Sequence, residues 1–367
     1  MTCRGDQLGM EFSPEEIRAC RERDGLLSIE LELSRLCNLR CIYCYASSGE
    51  PLENEMSLAE IFRVINQAVA LGVRKVIVLG GGEPLVYPHL FEVLDYLRGK
   101  NLRIDLFTNG ISMTREKARK LRQLEIGVIL KMNSRMPEIQ DYLAGKDGAY
   151  KAIMKGLDAL QEEGYPNESC LLGIETIICR QNYEELPDLW RWARRRGIVP
   201  YFEIMTSQGR ATQHDDLSVD QEKIRVLFEE LARIDRDEFE CSWQPHPPLV
   251  ASHCARHEYS CTITSNGDIH PCPGVDVVAG SIRRNSLAEI IRSSKVVQEL
   301  RDIRNTIKGQ CGLCELHLQC YGCRGHAYQV AGDYLAEDPI CWLKNNQEES
   351  SLEQTVACRP GAGKHEP

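Results

Sequence analysis

From residue 26 to about residue 206 the chain alternates two hydrophobic rhythms. Short strand-like runs cover Leu27–Leu33, Lys75–Leu79, Leu102–Phe107, Gly127–Met132, Leu171–Cys179 and Tyr201–Met205. Between them apolar residues recur every three or four positions, which predicts helices over Ser57–Leu71, Pro88–Gly99, Thr114–Glu125, Tyr150–Glu163 and Glu184–Gly197. Ser57 and Glu60 have capping-box spacing at the start of the first of these. Six such repeats predict a parallel sheet with helices outside it. A doubly wound open sheet satisfies the pattern, but the polarity of the strands favours a curved barrel with a wet lumen. Glu30 and Glu32 share one face of the first strand, Arg103 and Asp105 one face of the third. Lys131, Glu175 and Glu203 come from the fourth, fifth and sixth. Pointing inward, these charges would either pair with one another or cage a polar substrate.

The flanks are different in kind. Residues 1–25 are polar and irregular, with a short helix expected after Ser13-Pro14. Residues 207–245 read as a charged linker with a helix over Val219–Ile234, ending in Trp243-Gln244-Pro245-His246-Pro247-Pro248, and a domain boundary is expected near 235–248. Beyond Leu343 the chain is polar and expected to be disordered.

The 367 residues are enough for about two to three domains. Hydrophobic content of 43% and charged content of 27% are ordinary for a globular chain. A net charge of −10 disfavours nucleic acid and anionic membrane as partners, since both ask for a basic footprint. The one basic run, Arg191 to Arg196, reads as a solvated helix face. The N-terminus lacks the apolar segment of a secretory signal, and no apolar run reaches the roughly 18 residues of a membrane span. A reducing, anoxic cytoplasm is therefore expected. Seventeen cysteines in such a compartment point to metal or cluster binding rather than disulfides.

Cys37, Cys41 and Cys44, with three residues and then two between them, follow the first strand. Three thiolates are one short of the four that saturate an ordinary iron–sulfur cluster, so one iron would stay open. The spacing, with Tyr43 directly before the third cysteine, resembles the signature of the radical S-adenosylmethionine (radical SAM) family. Gly80-Gly81-Gly82-Glu83-Pro84, after the second strand, matches that family's Gly-Gly-Glu-Pro motif. The resemblance implies a partial (β/α)6 TIM-like barrel, an α/β fold with its chemistry at the C-terminal strand ends. It further implies a [4Fe–4S] cluster on the three cysteines, whose open iron chelates S-adenosyl-L-methionine, and a methionyl amino group held by Gly81, Gly82, Glu83 and Pro84. Asn109 and Ser134, at the ends of the third and fourth strands, are candidate contacts to the same molecule. Where many sulfatase-maturing relatives read Ser-Leu-Asp-Gly, this chain has Lys131-Met132-Asn133-Ser134.

The C-terminal part carries Cys254, Cys261, Cys272, Cys311, Cys314, Cys320, Cys323 and Cys341, which resembles the SPASM extension of radical SAM enzymes. That resemblance implies two auxiliary [4Fe–4S] clusters, the inner on Cys254, Cys261, Cys272 and Cys323, the outer on Cys311, Cys314, Cys320 and Cys341. Two structural zinc sites, and hence a binding module without catalysis, are the rival reading. Cys320 and Cys323 have two intervening residues where the usual pattern has three. Pro273 stands where sulfatase-type maturases carry an aspartate base, which argues against oxidation of serine or cysteine to formylglycine. Asp276, Tyr321 and His326 remain as candidates for proton transfer, and Glu32, Lys131, Glu175 and Glu203 for substrate contact. His253, His257, His270 and His317 read as neighbours of the cysteines rather than ligands.

The organisation expected is an N-terminal extension (1–25), a radical SAM barrel (26–235), a SPASM domain (236–345) and a tail (346–367). The implied activity is reductive cleavage of S-adenosylmethionine to a 5′-deoxyadenosyl radical, with hydrogen abstraction and net oxidation of the substrate. That substrate is expected to be a peptide, protein or metalloenzyme partner, as for a maturase. The alternative is a small molecule, in an oxidative decarboxylation of a tetrapyrrole or a sugar dehydrogenation. The 25 N-terminal residues are too few for the separate peptide-binding domain that some relatives carry in front. Electrons are expected from flavodoxin or ferredoxin.

Overall fold

The computed structural model describes residues 12–252 and 254–343. The expected tail, His253, Cys3 and Cys358 lie outside the described residues. After α1 (Pro14–Glu22), six strands alternate with helices: β1 (Ser28–Glu32), α2 (Leu58–Ala70), β2 (Lys75–Leu79), α3 (Leu90–Gly99), β3 (Arg103–Thr108), α4 (Arg115–Gln123) and β4 (Gly127–Lys131). Then come α5 (Pro137–Ala144), α6 (Ala149–Glu162), β5 (Leu172–Ile178), α7 (Leu186–Arg194), β6 (Val199–Ile204) and the long α8 (Gln221–Phe239). The remainder holds three short strands, β7 (Thr262–Ile263), β8 (Asp268–His270) and β9 (Gly280–Ser281). Short helices follow: α9 (Leu287–Ser293), α10 (Lys295–Arg301), α11 (Ile303–Thr306), α12 (Gln310–Leu313) and α13 (Arg324–Ala331). Among the described residues no helix is long and apolar enough to cross a membrane.

All nine strands form one sheet, ordered β6-β5-β4-β3-β2-β1-β7-β8-β9. β1 to β6 pair in parallel, and β7 joins the free edge of β1 in parallel before the chain turns back antiparallel through β8 and β9. One face of the parallel strands packs on the helices through residues such as Ile29, Leu31, Val76, Val78, Leu106, Leu130 and Ile174. The opposite face turns inward, and curvature follows from a single contact. β3 and β6 would lie about 14 Å apart in a flat sheet, yet the rings of Phe107 and Tyr201 meet edge-on at 6.2 Å.

Helix ends are secured locally. Ser57 and Glu60 form the expected capping box on α2. α7 and α8 are joined by the fully buried Asp235, which accepts from Trp190 Nε1 (2.7 Å), Trp243 Nε1 (2.9 Å) and the Arg194 guanidinium. That buried acceptor carries α8 past the expected end at Ile234 to Phe239. Elements not anticipated include α5, two turns long, starting on Pro137 and closed by the left-handed Gly145, and β7 to β9 and α9 to α13 in the C-terminal part. The expectation of no disulfide fails at Cys241, which is disulfide-bonded.

Candidate functional site

The cysteine loop after β1 is held at both ends and across its middle. Cys37 N–H donates to Gly49 O and Gly49 N–H to Arg35 O, each at 2.9 Å, which closes the loop on itself. Arg40 and Ile42 donate their N–H groups to Ala144 O and Leu143 O, using last-turn carbonyls of α5 that the helix itself cannot satisfy. On the far side Arg210 donates from Nε to Cys41 O (2.8 Å), from Nη1 to Ser48 O (2.9 Å) and from its own N–H to Cys44 O. Cys44 Sγ accepts from Ser48 N–H at 3.5 Å. Burial pushes the Cys41 thiol up to about 12 and raises Cys37, so iron uptake here must expel protons.

Gly82 lies against the start of this loop. A Cβ at Gly82 would come within 2.1 Å of Leu36 O, so the glycine is required by the loop itself. Glu83 is buried, and its carboxylate accepts from the Thr108 hydroxyl, Asn109 N–H (2.7 Å) and Leu85 N–H (2.9 Å). It thus joins the turn after β2 to the end of β3. Asn109 in turn donates from Nδ2 to Asn38 Oδ1, inside the cysteine loop, at 2.8 Å. Tyr43 accepts from Asn133 Nδ2 at 2.7 Å, while the rest of Asn133 binds Gln140, Ile177 N–H and Asn182.

A cavity of about 350 Å³ runs from this loop down the barrel and across to the C-terminal part. Cys37, Cys41 and Cys44 border it on one side, Cys254, Cys272 and Cys323 on the other. Lumen charges are paired: Lys75 with Asp105 at 2.5 Å, Lys131 with Glu175 at 3.0 Å, and Arg256 with Glu30. Lys131 also lies over the Tyr43 ring at 5.0 Å. Glu203 adjoins Glu175; burial and that carboxylate push its pKa well above the usual carboxylate range, which favours its neutral form.

Around the second cysteine triad several buried polar atoms accept or donate no hydrogen bond within the protein: His257 Nε2, and Arg324 Nε and Nη2, while His326 has only the Cys323 thiol and, at 3.9 Å, Asp338 beside it. Cationic and donor groups beside Cys254, Cys272 and Cys323, which border the same cavity, suit an anionic iron–sulfur group. Burial drives the Cys272 thiol pKa up, whereas at Cys323 His326 outweighs burial and holds it down. The outer set, Cys311, Cys314, Cys320 and Cys341, lies beyond Cys323. Backbone N–H groups of Leu316, Gly322 and Asp338 reach the sulfurs of Cys314, Cys320 and Cys311 at 3.3–3.4 Å. Among the described residues no three Cys, His, Asp or Glu side chains stand close enough to hold a single metal ion.

Five of the expected site residues do not border the cavity. Cys261 is buried in the core directly before β7, with Arg301 and Glu30 as its charged neighbours. Ser134 is buried outside the cavity, bound to Glu185 and Met136. Glu32 is spent on Tyr45 OH (3.0 Å) and Arg35 beneath the glycine turn. Asp276 is exposed and accepts from Gln208 and Gln329. Tyr321 is buried outside the cavity, its hydroxyl 3.3 Å from His257 Nδ1. His326, Lys131, Glu175, Glu203, Tyr43, Glu83 and Asn109 do border the cavity. Arg210, Gln208 and Arg256 were not anticipated, because each acts across long sequence separations that no local spacing announces.

A curved parallel sheet with a thiol triad at its strand ends, joined to a cysteine-rich extension, is the arrangement of an iron–sulfur enzyme. The radical SAM superfamily model matches residues 31–193, and that of the iron–sulfur cluster-binding SPASM domain matches 254–321. The AdoMet-dependent heme synthase of Methanosarcina barkeri is 30% identical over 339 residues, spanning 85% of this chain and 95% of that protein. Mycofactocin maturase MftC of Mycolicibacterium smegmatis is 27% identical, spanning 88% and 84%. The crystal structure of Streptococcus suis SuiB bound to S-adenosylmethionine superposes with a TM-score of 0.68 at 19% identity, covering 87% of this chain and 78% of that one. The chain belongs to the radical SAM superfamily and is an enzyme of its SPASM-bearing branch.

Proposed function

We propose that this enzyme oxidises a carboxylate-bearing side chain inserted into the lumen between the two cysteine triads, foremost by oxidative decarboxylation of a tetrapyrrole. The observation that carries the reading is the shared cavity, bordered by Cys37, Cys41 and Cys44 on one side and by Cys254, Cys272 and Cys323 on the other. Bound at the first triad, a [4Fe–4S] cluster with S-adenosylmethionine supplies a 5′-deoxyadenosyl radical that abstracts hydrogen. Cys254, Cys272 and Cys323 would hold an auxiliary cluster, which would supply a site for substrate or for the departing electron. The outer four cysteines would hold a third, fully ligated cluster.

The chain's own side chains then have separate tasks. Lys131 is the cation a substrate carboxylate meets, and to bind it that carboxylate must displace or bridge Glu175. Neutral Glu203 can donate a hydrogen bond next to it. Tyr43, fixed by Asn133, and the Phe107–Tyr201 pair wall the lumen against water. A volume near 350 Å³ is at the low end for ligand sites. It suits a reacting side chain plus part of the co-substrate, with the rest of the substrate outside.

The heme synthase names of the relatives favour a tetrapyrrole. The maturase relative favours a second reading, a peptide side chain, which the same lumen accommodates. An external ferredoxin- or flavodoxin-type protein would supply electrons. The test is anaerobic, cluster-reconstituted protein with S-adenosylmethionine and dithionite, given iron-coproporphyrin or a short peptide encoded beside it. Formation of 5′-deoxyadenosine together with loss of carbon dioxide from the porphyrin supports the first reading. A dehydrogenated or decarboxylated peptide supports the second. No 5′-deoxyadenosine from iron-replete protein sinks both.

A further inference from the structure

The lumen account leaves one fully buried carboxylate unused. Asp338 has no solvent exposure and touches three auxiliary cysteines at once. Its backbone N–H donates to Cys311 Sγ at 3.3 Å, in the outer set. Its side-chain Oδ2 accepts from Cys323 N–H at 2.7 Å, in the inner set. Its carbonyl accepts from Cys341 N–H at 3.3 Å. The second oxygen, Oδ1, takes Ile340 N–H at 3.1 Å and faces His326 Nδ1 at 3.9 Å. The neighbouring turn is shaped to admit it: a Cβ at Gly322, which has φ +64°, would come within 2.6 Å of Asp338 Cβ. The path from Cys323 N–H to the carboxylate, through the Asp338 backbone, to Cys311 Sγ links the inner cysteine set to the outer one.

We propose that Asp338 is a positioning residue that sets the reduction potentials of the two auxiliary clusters by holding a negative charge between their ligands. The inference rests on the reading that both cysteine sets carry iron–sulfur clusters. A fixed buried anion opposes the arrival of an electron at either neighbour, and hydrogen bonds around cluster sulfurs adjust the same quantity. Surface placement would have screened the charge; complete burial keeps it effective.

The experiment compares full-length wild type with Asp338→Asn and Asp338→Ala after anaerobic reconstitution, by iron and sulfide analysis and by reductive titration followed by electron paramagnetic resonance. Asp338→Asn keeps the backbone donor and an oxygen acceptor for Cys323 while removing the charge. Both variants are expected to move the auxiliary midpoint potentials upward with the signal of the first cluster unmoved. Unmoved auxiliary potentials in iron-replete Asp338→Asn overturn the proposal, as does a shift in Asp338→Ala alone, which would reveal only a packing role. Wild-type protein that takes up iron at the first site alone overturns the auxiliary-cluster reading itself, and this inference falls with it.

Discussion

Glu203 stands in the lumen beside Glu175, within reach of the field of Lys131, and its acidity is pushed up to about 8. Between the ordinary carboxylate range and that value the folded chain binds a proton that the unfolded chain releases. Stability must therefore fall as pH rises from about 4.5 to 8, and this contribution levels off above 8. Glu203→Gln removes the ionisable group, so thermal unfolding at pH 8 should show it more stable than wild type by roughly 1–3 kcal/mol, with little difference at pH 5. A variant no more stable at pH 8 would mean the carboxylate is not neutral in the fold. The cysteines offer a second residue-level test. Cys254→Ser should lower iron uptake, while Cys261→Ser should leave it at the wild-type level, because Cys261 faces the core. Equal losses would place Cys261 in the ligand set. Cysteine spacing alone could not separate these two residues. Cys261 differs only in directly preceding β7, whose two residues are too short to show a period. The ligating pattern of Cys37, Cys41 and Cys44 was legible because three ligands sit on one short loop.

At the scale of elements, turns and short helices decide how the thiol loop is held. Gly82→Ala places a methyl group against Leu36 O at a distance no real Cβ adopts, so the loop must move. Protein carrying it should lose about four irons per chain, the complement of one cluster; retention of all iron would show that the turn can yield. α5 was missed because eight residues give two turns, too few for a helical period to emerge from the sequence. Its signals were the terminal Pro137 and Gly145. α2, α6 and β2, by contrast, were legible to within a residue at each end, the helices because their apolar faces repeat over many positions. Asp235 binds α7, α8 and the segment bearing Trp243 together. Asp235→Ala would strand two indole N–H groups and the guanidinium of Arg194 in the interior. Chemical denaturation should register a loss of about 3 kcal/mol; a loss under 1 kcal/mol would place the weight of this junction on packing instead.

Across the whole molecule, three clusters predict about 12 iron atoms per reconstituted chain and no zinc. About 8 would mean that one cysteine set stays empty, and four with bound zinc would remove the auxiliary reading. The charge pairs of the lumen were half legible: alternation placed Lys131, Glu175 and Glu203 on the inner face. Arg256, the partner of Glu30, comes from a loop 226 residues away and no period points to it. The same distance explains Arg210 and Gln208, which reach from the segment after β6 to the first cysteine loop and to Pro273 respectively.

β1 hydrogen-bonds to β2 on one side and to β7 on the other, so the strand that delivers the first cysteine loop is also the seam to the extension. That shared strand makes the two halves of the chain a poor pair of modules. A fragment ending near residue 245 would expose a row of unpaired backbone donors and acceptors along β1, an invitation to intermolecular pairing. Genes for the halves could not be shuffled freely between relatives, because each swap would have to re-register this edge.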